Sequence, residues 1–88
     1  SDPVRRHPQD ARLRTPQAQT YAALGKRLLQ HQAQAELYLL RGSVPAAIEQ
    51  LQLARAAGDG NFYELSAVEA RLKELRARHA QDERDAKR

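Results

Sequence analysis

Apolar residues in this chain recur at spacings of three and four rather than two, and glycines 25, 42 and 58 interrupt them at near-equal intervals. The clearest stretch is YLLRGSVPAAIEQLQLA, residues 38–54. An apolar helix end (Leu37, Tyr38, Leu39, Leu40) runs into Gly42, which suits a left-handed residue closing a helix. Ser43 then suits a cap for a second helix, with Pro45 in its first turn, where a missing N–H costs little. Val44, Ala47, Ile48, Leu51 and Ala54 fall at i, i+3, i+4, i+7 and i+10, a single stripe at helical period. Helix, glycine, short turn and helix make an αα-hairpin. Its alanines let two backbones approach closely, while Ile48 and Leu51 fill the seam.

The same signals organise the rest. Residues 1–14 hold two prolines, four arginines and no period, and read as a basic linker or tail. Thr15–Pro16 reads as an N-cap with a first-turn proline, opening a short helix over 15–24 that carries Ala18, Tyr21, Ala22 and Leu24 and stops at Gly25. A longer helix over 27–41 has too many apolar residues at its C-terminal end for one stripe, so that end is expected to be buried on two sides. The third helix covers 44–57 and stops at Gly58. Asp59–Gly60–Asn61 is turn chemistry, and Asn61 with Glu64 resembles a capping box that starts a fourth helix over 61–80. There Leu65, Val68, Leu72 and Leu75 form the stripe, and Glu69–Lys73 and Glu74–Arg78 are i,i+4 pairs in the favourable order. Past Leu75 only alanines are apolar, so the end of the chain reads as a solvated extension, with 81–88 a charged tail. The expected fold is all-α: antiparallel αα-hairpins of α-solenoid type over 15–80, closed by a C-terminal capping helix whose outer side is charged.

Composition narrows the function. Three Tyr, one Phe and no Trp leave Leu and Ala to build the interior of a single small domain. The absence of cysteine removes disulfides, thiol chemistry and cysteine zinc ligands. No run approaches the roughly 20 apolar residues that span a bilayer, and no signal peptide opens the chain, so an export signal would lie outside these residues. The net charge of +4 and pI near 10 raise nucleic-acid binding. The excess sits at the ends, however, in Arg5, Arg6, Arg12 and Arg14 and in Arg84, Lys87 and Arg88, and no nucleic-acid-binding motif accompanies it. Solvated tails are the preferred reading, so no nucleic-acid partner is expected.

Gly25 and Gly42 lie 17 residues apart, half of a 34-residue helix-pair period, and residues 28–61 align as one repeat that resembles the tetratricopeptide pattern. Ala35 takes the small position of the first helix, Tyr38 its later aromatic and Gly42 the turn glycine; Ala47, Leu51 and Ala54 take the small, large and small positions of the second. The chain departs from the pattern at His31, where tryptophan is usual, and at Asp59, where a closing proline is common. Residues 21–76, and above all HQAQAELYLLRGSVPAAIEQLQLARAAGDGNFYELSAVEARLKELR, resemble the C-terminal end of the BepA-like periplasmic zinc metallopeptidases. In these an HExxH catalytic domain is followed by tetratricopeptide repeats. The resemblance implies a Gram-negative periplasmic location, a parent protease holding zinc in its catalytic domain, a role in outer-membrane protein quality control, and a segment that recruits partners and shapes access to the protease.

These residues hold no catalytic motif. HExxH needs two imidazoles at i and i+4, whereas His7, His31 and His79 are far apart. His31 at a packing position reads as a half-buried, hydrogen-bonded core residue, with metal binding the alternative. No nucleophilic constellation or phosphate loop is legible, so the segment is expected not to be an enzyme and to hold no cofactor. Binding is what remains. The resemblance implies that first helices line a concave groove, which places Leu29, Gln32, Glu36, Leu39 and Leu40 toward a protein or peptide partner. The alternative for the leucines is packing against a neighbouring helix of the array, made by upstream repeats of the parent chain. Because repeat stacks need about three units and about two are legible, the helix over 15–24 is expected to expose a face, and the isolated piece is expected to form a homodimer through that face or by exchanging helices. A free-standing tetratricopeptide-like adaptor is the second reading, and a basic helical nucleic-acid binder the third.

Overall fold

The computed structural model describes residues 18–87, all of them helix or short connections with no strand. Residues 18–23 are helical (α1); α2 is Arg27–Leu40, α3 is Val44–Ala56 and α4 is Phe62–Ala86. The four helices pack against one another. The linker over 1–14 and the Thr15–Pro16 cap lie outside the described residues.

Each stop has a local cause. Gly25 at φ 73° and Gly42 at φ 81° take the left-handed conformation that closes a helix. After α1, Gly25 N–H donates to Ala22 O and Lys26 N–H to Tyr21 O; after α2, Gly42 N–H donates to Leu39 O and Ser43 N–H to Tyr38 O. Both are Schellman endings, each capping two otherwise orphaned carbonyls. Ser43 departs from expectation. It occupies the cap position of α3, but its side chain makes no cap hydrogen bond. Its N–H already closes the preceding helix, and its ψ of 78° falls short of the extended range in which a cap hydroxyl faces the next turn. The capping box of α4 is present in full: Asn61 Oδ1 accepts from Glu64 N–H at 2.8 Å, and Glu64 Oε1 accepts from Asn61 N–H at 3.0 Å.

The expected stripe becomes the core. Leu28 and Ala35 of α2, Val44, Ala47, Leu51 and Ala54 of α3, and Val68, Leu72 and Leu75 of α4 form one buried cluster, with Tyr38, Ile48 and Leu65 among those packed around it. Ala35, Ala47 and Ala54 are fully buried, so the helices meet nearly backbone to backbone there while Leu51 and Leu72 fill the space beside them. α3 is the middle element; α2 and α4 touch each other only lightly. The turn after α3 reaches the start of α2, so these two run antiparallel. Gly60 meets Leu28 while Arg71 meets Glu36, so α4 runs in the direction of α2. The result is a slab of 44 × 29 × 17 Å. Ala33 and Leu37 are buried as well but lie outside the cluster, on another side of α2, which is therefore covered on two sides as its composition predicts.

α4 exceeds its expected end at 80, continuing to Ala86 with residues 80–87 exposed. The extension is built from strong helix formers. Local contacts join them: His79 Nε2 to Glu83 at 3.2 Å, Gln81 to Asp85 at 3.0 Å and Arg84 to Gln81 at 2.8 Å. The i,i+4 pairs expected of Glu69 and Glu74 are replaced by other partners. Glu69 reaches back to Arg55 of α3 at 3.3 Å, and Glu74 takes Arg71 one turn earlier at 3.2 Å.

Candidate protein-binding surface

The five residues expected to line a groove, Leu29, Gln32, Glu36, Leu39 and Leu40, are all half-buried on α2. At 100° per residue, Leu29, Gln32, Glu36, Leu39 and Leu40 lie within about one third of the helix circumference, so they share a flank between the seam with α3 and the side of Ala33 and Leu37. Leu29 and Leu39 pack against the core, leaving only their edges to solvent. Gln32 has no hydrogen-bond partner among the described residues, so its amide is available to an incoming backbone or side chain.

Glu36 is engaged. Arg71 Nε and Arg71 Nη2 each donate to its carboxylate at 3.1 Å, a bidentate fork between α2 and α4. Arg71 Nη1 also reaches Glu74 at 3.2 Å. The hydrogen bonds it donates to Glu36 hold the Arg71 guanidinium above its ordinary pKa, so it stays charged. The Glu36 side chain keeps 28% of its surface exposed and Arg71 36%, so this is a polar, charge-bearing rim between two helices rather than a buried bridge. Arg71 has no signal in the sequence that would pair it with Glu36; only the parallel course of α2 and α4 brings them together.

The repeat positions occupy the seam. Ala35, Ala47, Leu51 and Ala54 are fully buried, Tyr38 is half-buried against them, and Gly42 makes the turn. His31 Nδ1 donates to Gln50 Oε1 at 2.8 Å, which ties α2 to α3 through a half-buried polar bond. Asp59, at the other departure from the pattern, does something its turn position does not announce. Asp59 Oδ2 accepts from Arg27 N–H at 2.6 Å and Oδ1 from Leu28 N–H at 3.0 Å, so the α3–α4 turn caps the start of α2. The bond from Leu28 and then that from Arg27 hold its carboxyl below the ordinary aspartate pKa, against the opposing effect of desolvation. Beside it lies a hollow of about 30 Å³ between Lys26, Leu28, Leu29, Asp59 and Glu64, room for a single water.

Among the described residues no three His, Asp or Glu side chains come together in a way that could hold a metal ion. No helix there is long and apolar enough to cross a membrane. What the surface offers is amide, carboxylate and leucine edges on one flank of α2, with the Arg71 guanidinium of α4 beside them. No family model matches the chain, and neither a curated protein nor a solved structure matches it.

Proposed function

We propose that this chain is a protein–protein interaction module, a tetratricopeptide-like hairpin closed by a capping helix. On the resemblance of residues 21–76, we assign it to the C-terminal repeat region of a periplasmic zinc metalloprotease acting in outer-membrane protein quality control. The observation that carries the reading is the α2–α3 seam. Ala35, Ala47 and Ala54 are buried at the small positions of a repeat, with Gly42 turning between them and α4 laid alongside in the direction of α2. Such a unit adds rods side by side and leaves one flank of each first helix to a partner. The half-buried, unpartnered amide of Gln32 and the rim carboxylate of Glu36 are the polar anchors, with Leu29, Leu39 and Leu40 as the apolar floor.

Affinity capture from a periplasmic extract tests this, comparing the chain with its Gln32→Ala/Glu36→Ala form. Loss of specific proteins from the capture, with the melting transition retained, is the expected result. An unchanged set would move the binding surface elsewhere on the molecule. The protease assignment has a separate test: the coding sequence upstream is expected to carry an HExxH helix, and its absence leaves a free-standing adaptor.

A further inference from the structure

Residues 59–60 combine two requirements that conflict chemically. Asp59 is required as the cap of α2, since both its carboxylate oxygens accept backbone N–H groups from Arg27 and Leu28. Gly60 is favoured by packing. A Cβ there would enter the space of Leu28 Cδ1 and approach Leu28 Cγ to 3.4 Å, so any larger residue obliges Leu28, only 1% exposed, to leave its place in the core. The fold thereby installs Asp-Gly, the dipeptide in which backbone attack on the side-chain carboxyl is least hindered, because glycine presents no side chain next to the attacking nitrogen.

We propose that Asp59–Gly60 is a site of spontaneous isoaspartate formation, closed while the turn is docked on α2 and open when it leaves. The step balances without any co-reactant. Gly60 N attacks Cγ of the protonated Asp59 carboxyl, and the carboxyl's hydroxyl departs as water with the proton lost from that nitrogen, giving a five-membered succinimide. Water adding to the former backbone carbonyl then opens the ring with the chain running through Cβ and Cγ, at no net change in mass. In the docked turn both oxygens are held by N–H donors on another helix, which restrains rotation of the carboxyl toward Gly60 N. The same bonds keep the carboxyl ionised, and the ionised form is the poorer electrophile. After isomerisation the backbone is one methylene longer and the free carboxylate stands on a different atom, so the cap of α2 cannot re-form. The site thus records the history of turn opening, and an opening in which the ring forms is not reversed by redocking.

The test is ageing of the intact chain at neutral pH and 37 °C across a guanidinium series, with isoaspartate at position 59 measured by peptide mapping. Formation in the folded chain is expected to be about tenfold slower or more than in the fully denatured chain, and the rate should follow the unfolded fraction between them. Purified isoaspartate-59 chain is expected to melt below the unmodified chain. Equal rates in folded and denatured chain, or faster formation in the folded one, would overturn the gating; an unchanged melting transition would overturn the loss of the cap.

Discussion

Gly42 and Gly60 show how differently one amino acid can be required. Gly42 holds φ at 81° with nothing within 4 Å of the place a Cβ would take, so its constraint is conformational alone. Gly60 lies outside the left-handed range, and its constraint is Leu28. Gly42→Ala is expected to cost about 1–2 kcal/mol, the ordinary penalty for an L-residue in that conformation. Gly60→Ala is expected to cost about 1–3 kcal/mol by overpacking, and Leu28→Val should recover part of that loss because it removes the Cδ atoms. Guanidinium denaturation of the two single forms and the double form decides: if the Leu28→Val and Gly60→Ala costs simply add, Leu28 is not the obstacle.

Among the elements, α2 depends on another part of the chain for its start. No acidic residue stands in its first turn and Lys26 provides no side-chain cap, so Asp59 supplies from the α3–α4 turn what the local sequence lacks. Its folded-state pKa is depressed, so its contribution to stability is fully present above the unfolded aspartate pKa of about 3.9 and is lost as pH falls through the lower folded value. Asp59→Ala is therefore expected to lower the denaturation midpoint at neutral pH, with the two midpoints converging in strong acid. A gap that persists unchanged at low pH would assign the effect to something other than the carboxylate. At the other end of the molecule, α4 past Leu75 buries no large apolar side chain. Deleting residues 81–88 is expected to reduce the circular-dichroism helix signal while leaving the melting temperature within about a degree or two, because exposed side chains contribute little.

For the molecule as a whole, the slab has two faces, and few large apolar side chains among the described residues are left on its surface. Leu24 at the end of α1 is 64% exposed, Leu53 45%, and the edge-to-face pair Phe62 and Tyr63 76% and 81%, with ring centroids 5.8 Å apart. The expected homodimer uses the α1 side or an exchange of helices, and Leu24 tests the first. Light scattering should give a mass above 9.9 kDa that rises with concentration, and Leu24→Glu should return it to a single chain. A mass independent of concentration removes the dimer while leaving the hairpin seam and the α2 flank as they are. Along α4, His79–Glu83 and the linked contacts Arg84–Gln81 and Gln81–Asp85 run over an exposed extension, a solvated rod.

What is legible in the sequence depends for the most part on near neighbours. The helix periods, the glycine stops at 25 and 42, the Asn61–Glu64 box and the Ala35–Ala47–Leu51–Ala54 seam follow from rules spanning at most one or two turns, and His31 could be read as a hydrogen-bonded packing residue on the same grounds. Ser43 departs from its local rule, because its N–H belongs to the helix before it. The contacts that span more than thirty residues were not legible: the Asp59 cap on Arg27 and Leu28, the clash that reserves position 60 for glycine, and the fork of Arg71 on Glu36. Each exists only because the middle helix returns the chain to its start and sends α4 out along α2. Packing of buried alanines and leucines sets that course, and it alone determines which distant charges and backbone groups meet.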